Sequence, residues 1–104
     1  MGSFIKVAKA AEVPAGGGRL VQVAGKQIAL FQVEGKYFAI DNTCTHVGGP
    51  LSEGEVEGAA VECPWHGSRF SLETGKVLYG PALTDVACYP VRREGDDIEI
   101  EVGT

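Results

Sequence analysis

The chain reads as a small all-β protein, and three observations predict it. Fifteen glycines and five prolines punctuate short segments rich in Val, Ile and Phe, the pattern of many brief strands joined by turns. Near the end, Ile98, Ile100 and Val102 alternate with Asp97, Glu99 and Glu101, so one face is buried and the other wet. No segment keeps a 3.6-residue apolar period for more than a turn or so.

Taken in order, strands are expected at residues 4–7, 20–23, 27–33, 36–40, 59–62, 69–71, 86–92 and 98–102. Residues 8–12 allow a short turn of helix. Ala24-Gly25 and Glu34-Gly35 sit between strand-like runs and read as two-residue hairpin turns. Composition and periodicity therefore give a small sandwich or barrel. One hundred and four residues make one domain, 1–104, able to bury a modest core.

Composition also excludes function classes. A formal charge of −5 argues against nucleic acid, which needs a basic patch. It suits steering toward basic partner surfaces, and it suits solubility alone equally well. No apolar run approaches a membrane span, and no signal-peptide pattern opens the chain. Lys6 stands where a myristoylation signal carries Ser or Thr. A cytoplasmic location is expected, and three cysteines with two committed as ligands leave no pair for a structural disulfide.

Those ligands are the most specific feature. Cys44-Thr45-His46 and Cys63-Pro64-Trp65-His66 each pair a thiol with an imidazole, with sixteen residues between the motifs, and the chain has only two histidines. A single zinc ion held by two Cys and two His is one reading. Zinc loops, however, space their paired ligands more widely. A one-residue gap favours diverging side chains and two adjacent metal atoms, as in an iron–sulfur centre with two thiolates on one iron and two imidazoles on the other. Four thiolates would leave an oxidised [2Fe-2S] core dianionic; two thiolates and two neutral imidazoles leave it neutral. The potential accordingly rises from about −400 mV to roughly −150 to +300 mV.

The segments Cys44-Thr45-His46-Val47-Gly48-Gly49-Pro50-Leu51 and Cys63-Pro64-Trp65-His66-Gly67-Ser68-Arg69-Phe70 resemble the two cluster-binding loops of the Rieske family. The similarity continues through Ser71 to Ala82 and the closing strands, so it covers nearly the whole chain. It implies three antiparallel sheets with a cluster-binding subdomain at one end. It also implies one [2Fe-2S] cluster, with Cys44 and Cys63 on the inner iron and His46 and His66 on the outer. A third loop, Gly80-Pro81-Ala82, would cover it.

Departures from the high-potential branch are informative. That branch clamps its loops with a disulfide, and the corresponding positions here are Gly49 and Trp65. It also places a tyrosine where this chain has Phe70, which has no hydroxyl to donate to a ligand sulfur. Ser68 matches a serine that donates to a bridging sulfide. A potential below zero volts is expected. Gly48, Gly49 and Gly67 can take positive φ and let backbone N–H groups approach the sulfurs, and Pro50 and Pro64 stiffen the loops.

Outside the ligands, Cys88 reads as a small buried hydrophobe. Trp65 reads as a shield, a docking residue or a ring half-buried against its loop. Glu53, Glu55 and Glu57 fit a wet strand edge or loop, and Arg92-Arg93 is too short a basic run to signify.

A fully ligated cluster has no open position for substrate. The expectation is a one-electron carrier without a catalytic site, similar to the ferredoxins of bacterial aromatic-ring dioxygenases. By that resemblance it would link a flavin-containing reductase to a terminal oxygenase in aromatic hydrocarbon catabolism, and would be monomeric in isolation. Docking would use His46, His66, Trp65, Pro64 and Val47. A fixed Rieske subunit of an assimilatory nitrite reductase and a structural zinc module are the competing readings.

Overall fold

The computed structural model describes residues 3–43, 49–65, 67–80 and 84–102. Its eleven strands among those residues are β1 (Ser3–Lys9), β2 (Gly18–Val23), β3 (Lys26–Val33), β4 (Lys36–Asp41), β5 (Glu55–Glu57), β6 (Ala60–Glu62), β7 (Arg69–Ser71), β8 (Val77–Tyr79), β9 (Cys88–Tyr89), β10 (Val91–Glu94) and β11 (Asp97–Val102). Two 3-10 turns, Ala10–Glu12 and Leu51–Glu53, complete the regular structure, and no α-helix occurs among the described residues. All strand pairs are antiparallel and form three sheets, ordered β1-β11-β10, β2-β3-β4-β9 and β5-β6-β7-β8. The all-β expectation and the three sheets hold.

The middle sheet is the keel. Ile28 and Leu30 of β3 join Val21, Val23, Ile98 and Ile100 in one buried cluster, while Ala29 and Phe31 join Leu51, Val61, Phe70 and Leu72 in another. Successive side chains of a strand point to opposite faces. The unbroken run Ile28-Ala29-Leu30-Phe31, fully buried, is thus the sequence mark of a strand covered on both sides. The β1-β11-β10 sheet covers one face and the β5-β6-β7-β8 sheet the other.

Both two-residue hairpins form where expected. Ala24 and Gly25 have φ of 52° and 80°, Glu34 and Gly35 of 51° and 80°. Positive φ at both central positions matches the twist of the flanking strands, and it places Ala24 and Glu34 where side chains are mildly strained. The 3-10 turn at Ala10–Glu12 is shorter than the expected 8–12, and its Glu12 carboxylate accepts the Lys9 backbone N–H at 2.7 Å.

Three expectations need correction. The strand foreseen at 86–92 is broken: Cys88–Tyr89 pairs with β4, while Val91–Glu94 pairs with β11 in another sheet. Pro90 lies at the switch, where its missing N–H costs no ladder bond. Cys88 is exposed, because its two-residue strand forms the edge of the middle sheet. Strands β5 and β8, each three residues long, were not foreseen. No helix among the described residues is long and apolar enough to cross a membrane.

Candidate metal centre

Strands β6 and β7 carry the second ligand loop between them. Val61 pairs with Phe70 and Glu62 with Arg69. The ladder continues as the Cys63 N–H donates to the Ser68 carbonyl at 2.7 Å, and the Gly67 N–H donates back to the Cys63 carbonyl at 3.1 Å. These bonds join the two ends of the second loop, with Cys63 and Ser68 at its neck. Both are buried, Cys63 at 1% exposure and Ser68 at 0%. Gly67 has φ of 78°, as expected of a residue that reverses the chain here. Phe70 is fully buried in the same apolar cluster as Cys63.

The first loop leaves β4 at Asp41 and returns at Pro50. Its neck is a backbone bridge between Thr43 and Pro50, reinforced by Asn42. The Asn42 carbonyl accepts the Leu51 N–H at 2.6 Å, and its side-chain oxygen accepts the Ser52 N–H at 2.8 Å in a buried bond. The Asn42 N–H donates to the Gln27 carbonyl at 3.1 Å, tying the neck to β3.

Asp41 fastens the strand that follows the third loop. It accepts the Tyr89 hydroxyl at 2.6 Å and the Ala87 N–H at 3.3 Å. Burial, then the Asp41 bond and charge, push the Tyr89 phenol above its ordinary range. At the same loop's base, Asp85 accepts the Val77 N–H at 2.8 Å. Thus all three loops foreseen around the cluster are pinned at their ends by hydrogen bonds from the scaffold.

Cys44, His46, Val47, Gly48, His66 and Pro81 lie outside the described residues. What is described fits a metal–sulfur group. Gly49 does not use the left-handed region that glycine allows. It is glycine for lack of room: a Cβ there would fall 2.7 Å from the Cys63 sulfur and 3.2 Å from the Trp65 ring. Gly80 combines both reasons, with φ of 102° and a would-be Cβ 2.6 Å from the Ser68 Cα. Gly49 of the first loop thus lies against the buried Cys63 sulfur, and Gly80 of the third against the Ser68 and Gly67 backbone. The donor set of two cysteines and two histidines suits a [2Fe-2S] centre with mixed ligation.

Four exposed apolar or aromatic residues flank the loops among the described residues. Pro64 is exposed, and Trp65, Leu78 and Tyr79 are 58%, 58% and 69% exposed. Leu78 and Tyr79 escaped the sequence reading. Arg69 faces Tyr79 while Phe70 faces Val77, so Leu78 is an extra residue, a bulge at the sheet edge. Bulges re-aim side chains, and here two consecutive large ones stay in solvent. The signal available was Val77-Leu78-Tyr79 directly before Gly80-Pro81. At the opposite edge of the sheet, β5 presents exposed Glu55 and Glu57. Arg69 lies near it, 3.1 Å from Glu62 and 3.7 Å from Glu57.

Known proteins of similar sequence and shape agree with this geometry. Residues 3–90 match the Rieske [2Fe-2S] domain. The chain is 42% identical over 91 residues, 88% of each chain, to the ferredoxin component of the naphthalene 1,2-dioxygenase system of Pseudomonas aeruginosa. Its fold superposes with a TM-score of 0.90 on the ferredoxin of carbazole 1,9a-dioxygenase from Nocardioides aromaticivorans IC177, at 26% identity over 94% of this chain and 96% of that one. A second match, with a TM-score of 0.87 and 29% identity over 94% and 92%, is to a structure described as a complex of reduced oxygenase and oxidized ferredoxin in carbazole 1,9a-dioxygenase. With the ligand motifs, the buried sulfur and most of the chain's length accounted for, the protein belongs to the Rieske [2Fe-2S] family.

Proposed function

We propose that this chain is a one-electron carrier, a Rieske ferredoxin that serves the terminal oxygenase of an aromatic-ring dioxygenase system and is reduced by a flavin-containing reductase. The observation that carries the reading is the two-way coverage of the naphthalene dioxygenase ferredoxin component, 88% of each chain. Almost nothing is left over for a separate catalytic unit in the matched relative or in the matched part of this chain, which we read as one domain, residues 1–104. The compartment consistent with such a carrier is the cytoplasm.

The bound cluster would take up and release a single electron. The protein's part is to hold it, shield it and present it. Cys44 and Cys63 are assigned to the inner iron and His46 and His66 to the outer, His46 and His66 being the electron entry and exit. The apolar cluster around Cys63 keeps it from water, and backbone necks limit how far the loops reorganise when charge changes. Ser68, Gly48, Gly67 and Pro81 line the site in this reading. Phe70 offers no hydroxyl to a ligand cysteine sulfur, which favours a potential at the low end of the Rieske range, below zero volts; a midpoint above about +150 mV contradicts it.

The docking surface is assigned to His46, Val47, Pro64, Trp65 and His66, extended by Leu78 and Tyr79. Its occupant is the terminal oxygenase, whose patch should be apolar with basic residues toward the Glu55 and Glu57 edge. The test is a single-turnover mixing experiment: chemically reduced protein against the oxidised terminal oxygenase of the naphthalene 1,2-dioxygenase system. One electron per chain should pass, and catalytic dihydroxylation should follow when NADH and the system's reductase are supplied. No reoxidation by the oxygenase, with the cluster intact, rejects the proposal.

A further inference from the structure

Each ligand loop is closed at its neck by a backbone hydrogen bond, the first from the Leu51 N–H to the Asn42 carbonyl beside the Thr43–Pro50 bridge and the second from the Cys63 N–H to the Ser68 carbonyl. What holds one to the other is a separate matter. The described contact between them is Gly49 against the Cys63 sulfur and the Trp65 indole. Gly49 is buried, whereas Trp65 remains 58% exposed. One part of the indole therefore covers the Gly49 backbone while the rest meets solvent. Leaving that much of a large aromatic side chain in water forgoes apolar burial. The ring belongs to neither buried cluster of the fold, so its packing serves the loops and not the core.

We propose that Trp65 is a positioning residue: its indole, laid on the Gly49 backbone beside the Cys63 sulfur, locks the two ligand loops together without a covalent bond. The role rests on the cluster assignment made above. Gly49 is the matching half of the lock, because any side chain there would displace the ring, the sulfur or both. A glycine opposed to a broad, flat ring gives the closest approach that two loops without a cross-link can make. The expected consequence is slower opening of the site and slower loss of iron from the isolated protein, with no partner involved.

The test compares the full chain with its Trp65→Ala, Trp65→Phe and Gly49→Ala variants, each assayed first for iron and acid-labile sulfide. Bleaching of the visible absorbance is then followed under excess ferrous chelator. Trp65→Ala should bleach about tenfold faster than the parent, equivalent to about 1.4 kcal/mol of barrier. Trp65→Phe, which keeps a flat ring, should stay within about threefold. The metal-free Trp65 variants should unfold at the same urea midpoint as the parent, since the ring belongs to neither buried cluster. Trp65 is the only tryptophan, so its fluorescence in the metal-free protein reads the contact independently: Gly49→Ala should make it more accessible to acrylamide. Equal bleaching of parent and Trp65→Ala overturns the lock, as does a Phe variant as labile as Ala, or unchanged quenching in Gly49→Ala. A parent without iron and sulfide would defeat the cluster assignment itself, and the role with it.

Discussion

Asn42 offers the sharpest test of how the scaffold holds the first loop. Its side chain is 5% exposed and accepts the Ser52 N–H at 2.8 Å. Asn42→Leu keeps the volume and removes the acceptor. The Ser52 N–H is then buried without a partner, which costs about 1–3 kcal/mol. That is a large share of the roughly 5–15 kcal/mol that holds a small domain together. The backbone bonds from Leu51 to Asn42 and from Asn42 to Gln27 survive the substitution, so the loss should remain local. Asn42→Asp retains an oxygen in the same place and should be the milder change. Urea unfolding followed by circular dichroism, on loaded and metal-free protein, measures both effects. Metal binding stabilises only what can bind it, so the stabilisation by iron should shrink in Asn42→Leu more than in Asn42→Asp. An Asn42→Leu protein within about 0.5 kcal/mol of the parent, holding iron equally well, would show that the neck does not depend on this side chain.

Other consequences follow from the same geometry. Phe70→Tyr places a hydroxyl in the apolar cluster that contains Cys63; a bond about 1 kcal/mol stronger to the reduced sulfur raises a one-electron potential by roughly 40 mV, and an unmoved midpoint in a variant whose hydroxyl reaches the sulfur would refute the tuning argument. Tyr89→Phe removes a half-buried bond to Asp41 and should cost about 1–2 kcal/mol near neutral pH. Because the phenol is raised in the folded state, its contribution is complete below the unfolded value near pH ~10 and declines as pH climbs past it. The stability gap between parent and variant should therefore narrow in alkaline urea titrations, and a constant gap would count against the assignment. Leu78→Glu puts a charge on the proposed docking edge; oxygenase turnover should need about tenfold more carrier, about 1.4 kcal/mol of weaker docking, at unchanged potential. A change in potential instead of affinity would argue against a surface role.

Much of the architecture was legible because local chemistry and tertiary packing agree. The Ile98-Ile100-Val102 alternation became β11, and the two hairpin turns took positive φ at Ala24-Gly25 and Glu34-Gly35. The four-residue run Ile28–Phe31 read correctly as strand, although its burial on both faces is visible only once the flanking sheets are in place. What was missed has a common cause. Strands β5 and β8 exist because β6 and β7 offer them a ladder at the sheet's two edges, a pairing that residue types alone do not announce. Pro90 divides one apolar stretch between two sheets, which no local pattern announces. Cys88 has apolar neighbours in sequence yet lies on an edge. At the site, the ligand motifs were plain, but the reason for Gly49 was not. Its sequence suggested backbone freedom, and the structure shows a sulfur and an indole in the way of any Cβ. The roles of Asn42 and Asp41 depend on partners ten and more residues distant, which residue types alone do not reveal.

The measurement that bears most directly on the central claim is pulsed electron-spin spectroscopy of the reduced protein, grown with either natural or nitrogen-15 histidine. The chain has only two histidines, so the labelling is unambiguous. The account predicts a paramagnetic iron–sulfur signal coupled to two ring nitrogens, both of which change on isotope replacement. A signal without nitrogen coupling, or a colourless protein holding zinc and no inorganic sulfide, would contradict it.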